Sequence, residues 1–301
     1  MLTRARRKCA DKNLQETQND HSEALRVVRE VERPKTYTEL MQGETFCLVP
    51  SQSLWTAAAN VSAIKSRHTG SMKYILKETA AFATLLPCHE SASIYARAEE
   101  GNIDKWKIII TGPLGTPYAY GCFEFHAAMP TSYPAVPPQV TFVTTSQGRM
   151  RFNPNLYHDG RVCLSVLNTW DGTSEQRWQP HKSTLLQVLV SLQSLVLVEH
   201  PYFNEPGYAS GIATAATNPN SIAYNRNIEL ATVRHAILGQ LQTPPIGGGL
   251  AKVIRNHFFL VKEGVKAQVR AWAKLAPSNA TIWNTLIAEV DVELDKLQQL
   301  E

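Results

Sequence analysis

The sequence predicts an α+β fold, and three observations carry that prediction. A helical stripe begins near Ser71, four short strand patterns separated by turn signals follow it, and a capped apolar stretch starts at Thr184. Strands in succession, with helices before and after them, give an N-terminal helix, a four-stranded antiparallel meander, a long core helix and a C-terminal helical extension. With 301 residues, 44% of them hydrophobic, the chain can bury a sizeable core.

Residues 1–70 mix charge with Gln, Asn and Ser and are expected to be poorly ordered, apart from a short helix over Ser22–Glu32 that Pro34 stops. Phe46 and Trp55 hint at local packing or a docking segment. From Ser71 onward, Met72, Ile75, Leu76, Thr79, Ala80, Ala83 and Leu86 recur at helical spacing until Pro87 ends the stripe. Ile94–Ala98, Trp106–Thr111, Cys122–Ala127 and Gln139–Thr144 read as strands; the third alternates Phe123 and Phe125 with Glu124 and His126. Pro130, Pro134, Pro137 and Pro138 cannot occupy central strands, so they form a stiff link between the last two.

Thr184-Leu185-Leu186-Gln187 is a capping-box pattern. The helix it opens presents Leu185, Val188, Leu189, Leu192, Leu195 and Val196 to the sheet and runs to Val198, before His200-Pro201. Beyond Gly207 and Gly211, a helical stripe runs over Ile222–Leu241, one or two more over Val253–Trp272 and a last over Ile282–Leu297; Pro244, Pro245 and the glycines at 247–249 end the first. This extension is expected to supply packing and partner surface. The expected division is therefore 1–70, 71–212 and 213–301.

Composition excludes several functions. The formal charge is +4 and the basic residues are scattered apart from Arg4, Arg6, Arg7 and Lys8, so no nucleic-acid patch is expected. No segment reaches about 18 uninterrupted apolar residues, and the start lacks the apolar core of a signal peptide, so no membrane span is expected. Cys9, Cys47, Cys88, Cys122 and Cys163 have no regular spacing and no C-x-x-C pair, which argues against a disulfide scaffold or zinc knuckle. Free thiols point to a reducing compartment, cytoplasmic or nuclear.

The chemistry centres on Cys163. Asn153-Pro154-Asn155 marks one turn and Asp159-Gly160 a second. Between them the chain folds back, so Asn155, eight positions before Cys163, can bring its amide alongside the sulfur. That pairs a nucleophile with an oxyanion donor. The plainer readings are a cysteine acting as a small hydrophobe and an Asn155 that holds the loop through backbone hydrogen bonds. His158 and Asp159 are near in sequence, but nothing around them resembles a protease pattern.

Asn153-Pro154-Asn155, Cys163, then Trp178 and Pro180 before an apolar helix, resemble the ubiquitin-conjugating (UBC) enzyme family. Gly112-Pro113-Leu114-Gly115-Thr116-Pro117-Tyr118, Gly121-Cys122-Phe123-Glu124-Phe125 and Tyr133-Pro134-Ala135-Val136-Pro137-Pro138 are similar to its first strands and Pro-rich turn. Phe152 to Tyr157, the insert around Asn168-Thr169-Trp170-Asp171-Gly172, and Pro201 to Tyr208 look most like the C-terminal UBC region of giant hybrid conjugating-enzyme and ligase proteins that carry an inhibitor-of-apoptosis repeat. No such repeat occurs in the 301 residues, so the resemblance implies a fragment, a short relative or a split product.

The resemblance implies a UBC-like fold, a first helix that contacts the activating enzyme, and ubiquitin carried as a thioester on Cys163 and passed to lysine on a protein substrate. It implies no metal or organic cofactor, since the activating enzyme consumes the ATP. The family places an aspartate in the loop after the long helix; here Glu205 is the candidate to orient or deprotonate the lysine, with Asn204 next, and a merely solvated loop charge is the alternative. The departures are Asn153 where His is usual, Ala135 where Phe is common, and Gln179-Pro180-His181 where Ser-Pro-Ala is common. The last two lie where a RING-type ligase is gripped, and they weaken that pairing. The insert between Leu167 and Pro180 either screens the thiol, binds an acceptor or is a tolerated surface loop. Two alternatives stay open: another ubiquitin-like modifier as cargo, and a non-catalytic UBC-like scaffold.

Overall fold

The computed structural model describes residues 35–51, 53–55, 69–208 and 214–300. The expected Ser22–Glu32 helix lies outside them. The chain divides into two compact units, Met1–Leu40 and Met41–Glu301. Of the first, residues 35–40 are described; they open α1 (Tyr37–Met41), where Thr36 and Glu39 exchange backbone-to-side-chain bonds in a reciprocal cap.

In the second unit a sheet is built from β1 (Phe46–Val49), β2 (Cys88–His89), β3 (Ala92–Glu99), β4 (Asn102–Thr111), β5 (Cys122–Ala128) and β6 (Gln139–Phe142). Strands β3 to β6 form the antiparallel meander expected from the sequence. Two strands were not legible there. β1 adds to β3 in parallel, with Phe46 opposite Ala96, and β2 folds back on the start of β3. Four residues with one aromatic carry too little pattern to reveal β1; its partner strand decides it. So within the stretch expected to be poorly ordered, Phe46–Val49 is sheet.

One face of the sheet carries Ile94, Ala96 and Ala98, Trp106, Ile108 and Ile110, Phe123 and Phe125, all in the main core. Helix α2 (Thr69–Leu85) packs there, but its buried face is Ile75, Thr79, Phe82 and Leu86, while Leu76 is exposed. The stripe is rotated from the expected one by Phe82 and Glu78. Glu78 accepts a hydrogen bond from the Tyr133 hydroxyl at 2.6 Å and from the Leu185 N–H at 3.0 Å. That carboxylate therefore joins α2, the Pro-rich link and the start of α3 (Leu185–Ser191), where Thr184 and Gln187 complete the capping box.

A π-helical turn, Leu192–Val196, continues α3. Its extra residue per turn changes which side chains face the sheet. Leu192 and Val196 stay buried, and Leu195, expected in the core, is turned out to 61% exposure.

Asn218 caps α4 (Pro219–Ala231), which runs through a π-helical stretch, Thr232–Leu238, into α5 (Gly239–Gln242). Ile228, Ala231 and Ala236 belong to the same core as the sheet, so that core runs across the expected division at 212–213. Gly247, Gly248 and Gly249 all have positive φ; a Cβ on Gly247 would meet the Ser53 carbonyl oxygen at 2.4 Å, which only glycine avoids. They lead into α6 (Leu250–Lys274), followed by α7 (Ala280–Asp295).

This turn covers the second sheet face. Arg97 of β3 donates to the Gly248 carbonyl at 2.9 Å and to Glu44, and Lys107 of β4 donates to the Ile246 carbonyl at 2.8 Å. From α6, the His257 ring meets the Tyr120 carbonyl at 3.2 Å. His257 is wholly buried, and burial pushes its imidazole down to about 4 against a smaller upward pull from that hydrogen bond. A histidine depressed in the folded state contributes stability above its ordinary value of about 6.5 and loses it as pH falls toward about 4. The urea midpoint should therefore drop across that window, and His257→Gln should flatten that part of the profile.

Candidate active site

The loop around Cys163 is built by tight turns and one buried amide. Asn153 is 0% exposed; its Oδ1 accepts the Asn155 N–H at 2.8 Å, and its Nδ2 donates to the Val196 carbonyl at 2.8 Å and to the Tyr118 hydroxyl at 3.1 Å. Next, the chain reverses, with Gly160 at φ 90°. The Cys163 N–H reaches the Asn155 carbonyl at 2.9 Å, and the Asn155 side-chain amide donates to the Cys163 carbonyl at 2.8 Å.

Asn155 and Cys163 are thus neighbours, as the eight-residue spacing implies, and the Asn155 amide is tied to the loop backbone in the resting state. An NH2 group carries two donors, so one N–H is left for a second acceptor.

Val162 and Leu164 join the main core and Cys163 does not, because alternate residues of an extended segment face opposite ways. The cysteine is nevertheless only 4% exposed, more enclosed than a freely presented nucleophile. Burial pushes the Cys163 thiol above its ordinary value; Arg161, a hydrogen bond with Tyr157 and Arg151 each pull it back, and Asp159 adds a small upward push.

Three of these neighbours were missed in the sequence. The Arg151 and Arg161 guanidinium groups lie 4.4 and 4.0 Å from the centre of the Tyr157 ring. Their spacing in the chain carries no periodic signal, and the turn at Asp159-Gly160 brings them together.

The insert folds onto this loop. The Thr169 hydroxyl donates to the Val162 carbonyl at 2.8 Å and accepts the Leu164 N–H at 3.0 Å, clasping both flanks of Cys163. The Ser165 hydroxyl donates to the Asp171 carbonyl at 2.6 Å, and the Trp178 indole donates to the Pro134 carbonyl at 2.9 Å. Trp170, Glu175, Gln176 and Arg177 line a cleft of about 650 Å³ together with Leu186, Val190 and Leu195 of the long helix and with Asn155 and Leu164.

Glu205 and Asn204 line a second cleft with Asn168, Trp170 and Asp171. The Glu205 carboxylate lies 3.5 Å from the Arg151 guanidinium, with both side chains about two-fifths exposed. Asn204, the second candidate, directs its amide to the Leu195 carbonyl at 3.0 Å, a tie between the turn Pro201–Asn204 and the helix end. Among the described residues no cluster of three His, Cys, Asp or Glu side chains could hold a metal ion, and no helix is long and apolar enough to cross a membrane.

Fold and loop together define an α+β protein that presents a cysteine from a hydrogen-bonded loop. A family model described as ubiquitin-conjugating enzyme matches residues 75–232, so the chain belongs to the ubiquitin-conjugating enzyme family. It is 46% identical over 198 residues to the Homo sapiens dual E2 ubiquitin-conjugating enzyme/E3 ubiquitin-protein ligase BIRC6, covering 66% of this chain and 4% of that protein. It is 45% identical over 215 residues to the Caenorhabditis elegans probable ubiquitin-conjugating enzyme protein 17, covering 71% of this chain and 29% of that one. The chain therefore spans well under a third of the length of either relative. A solved Toxoplasma gondii ubiquitin conjugating enzyme E2 domain matches at 28% identity with a TM-score of 0.40, covering 55% of this chain and 98% of that one.

Loss of the Tyr157 hydroxyl removes a donor that favours the thiolate. Tyr157→Phe should move the Cys163 thiol further up, read as an alkylation rate by iodoacetamide whose pH profile shifts to higher pH.

Proposed function

We propose that this chain accepts ubiquitin from an activating enzyme as a thioester on Cys163 and passes it to lysine on a protein substrate. In charging, the Cys163 thiol gives up its proton to solvent and the thiolate attacks the incoming thioester carbonyl; one C–S bond forms as another breaks, and the activating enzyme's thiolate leaves and takes up a proton. The exchange is close to neutral in energy, because one thioester replaces another. In discharge, a neutral lysine amine attacks the same carbonyl; the C–N bond forms, the C–S bond breaks, the Cys163 thiolate leaves and the nitrogen gives up a proton. Discharge asks more of the site than thioester exchange, and the second N–H of Asn155 is the donor proposed for the negative charge that develops on the carbonyl oxygen in that step. Glu205 is proposed to orient the amine or take its proton.

The observation that supports this reading is the reciprocal pair of hydrogen bonds between Asn155 and the Cys163 backbone, which keeps the two residues adjacent. The names of the relatives support ubiquitin as the cargo and do not favour a non-catalytic scaffold. The dual role in the BIRC6 name supports ligase character here too, with substrate choice in the same polypeptide; the residues at Ala135, Gln179 and His181 leave a RING partner outside the proposal. The compartment proposed is the cytoplasm or nucleus.

With activating enzyme, ATP and ubiquitin, the chain should form a thiol-sensitive adduct, and Cys163→Ser should convert it to a thiol-resistant ester. No adduct with ubiquitin, or an adduct that survives Cys163→Ala, would overturn the proposal. Asn155→Ala should slow discharge to free lysine by about a hundredfold to a thousandfold. If its amide only holds the loop, charging and discharge should fall together.

A further inference from the structure

The two arginines beside Cys163 have a use beyond the sulfur. Arg161 is exposed, and among the described residues no carboxylate lies within ion-pair distance of its guanidinium. Asp159, its nearest acidic neighbour in sequence, turns its Oδ1 to the Arg161 backbone N–H at 3.0 Å. Arg151 has Glu205 at 3.5 Å with both side chains solvated, a contact of small net strength. A guanidinium stacked by its face on an aromatic ring keeps its N–H edge open, and that edge matches a carboxylate in two-pronged fashion. Tyr157 thus gathers two cations beside Cys163: Arg151, whose Nη2 donates to the Pro154 carbonyl at 2.7 Å and faces Glu205, and Arg161, whose donor edge is open to solvent.

Such a rim acts on the acceptor. A lysine approaching Cys163 is itself a cation and is repelled by Arg151 and Arg161; carboxylates next to that lysine reverse the sign of the encounter. We infer that Arg161 and Arg151 select acceptor segments in which the target lysine is flanked by acidic residues. This inference rests on the proposed lysine transfer and names its substrate class. Arg161 is the principal contact, since Arg151 is shared with Glu205.

The test uses the full chain, charged with ubiquitin and then deprived of ATP, and compares discharge onto three peptides that differ only in the residues flanking one lysine: glutamate, alanine or arginine. Discharge should be about two- to fivefold faster per flanking glutamate than with alanine, as expected for exposed ion pairs, and slowest with arginine. The spread should shrink when ionic strength rises from about 0.05 M to about 0.5 M. Arg161→Gln should flatten the preference and Arg161→Glu should invert it, a reversal that lost packing on Tyr157 does not produce. Equal rates for the three peptides, or an order unchanged in Arg161→Glu, would overturn the inference while leaving the thioester reading intact. A chain that takes up no ubiquitin at all overturns both, and this is seen before any peptide is added.

Discussion

A buried amide holds the site together. Asn153 has no exposed surface, and its side chain bonds the Asn155 N–H, the Val196 carbonyl and the Tyr118 hydroxyl, with the Asn204 amide at 3.4 Å as a fourth partner. Those groups come from the cysteine loop, the end of the core helix, the connection between β4 and β5, and the turn that carries Glu205. A polar group in such a place is tolerated because its hydrogen-bonding capacity is satisfied, and removing one partner leaves others unpaired at a cost of about 1–3 kcal/mol each. The loop that carries Cys163 is thereby fixed to the scaffold instead of resting on it.

Around that anchor the core helix does two jobs. Its capped start, reinforced by Glu78 from α2, sets its position over the sheet. Its π-helical end turns Leu195 outward, and Leu195 lines the same cleft as Trp170 and Arg177 of the insert and Asn155 of the cysteine loop. The insert is held by Thr169, Ser165 and Trp178 through bonds to the loop and the Pro-rich link. The opposite sheet face is polar, with Arg97, Lys107 and Glu124 buried under the glycine turn and its neighbours. Burying these charges is acceptable only because each has a partner, such as Glu44 for Arg97 and His126 for Glu124.

Much of this was legible in advance, where a local rule sufficed. Alternation in Cys122–Ala128, the capping box at Thr184 and the proline turn at Pro154 are written in neighbouring residues. What was misread turned on side chains distant in the chain. Leu76 has the right helical spacing for the core, but Phe82 and the bonded Glu78 outcompete it for the buried face. Likewise β1 exists because β3 offers it an edge, and the Tyr157 stack because a turn folds Arg161 back over the ring.

The sequence by itself determined the α+β order of elements, the pairing of Cys163 with Asn155 in one loop, and the family, because periodicity, turn chemistry and motif spacing act over a few residues. Tertiary structure alone decided how enclosed the Cys163 sulfur is, which cations surround it, and which cleft the insert lines. Burial, electrostatic fields and cross-chain hydrogen bonds depend on distances in space, and residues such as Asn153 and Val196 become neighbours only when the chain is folded.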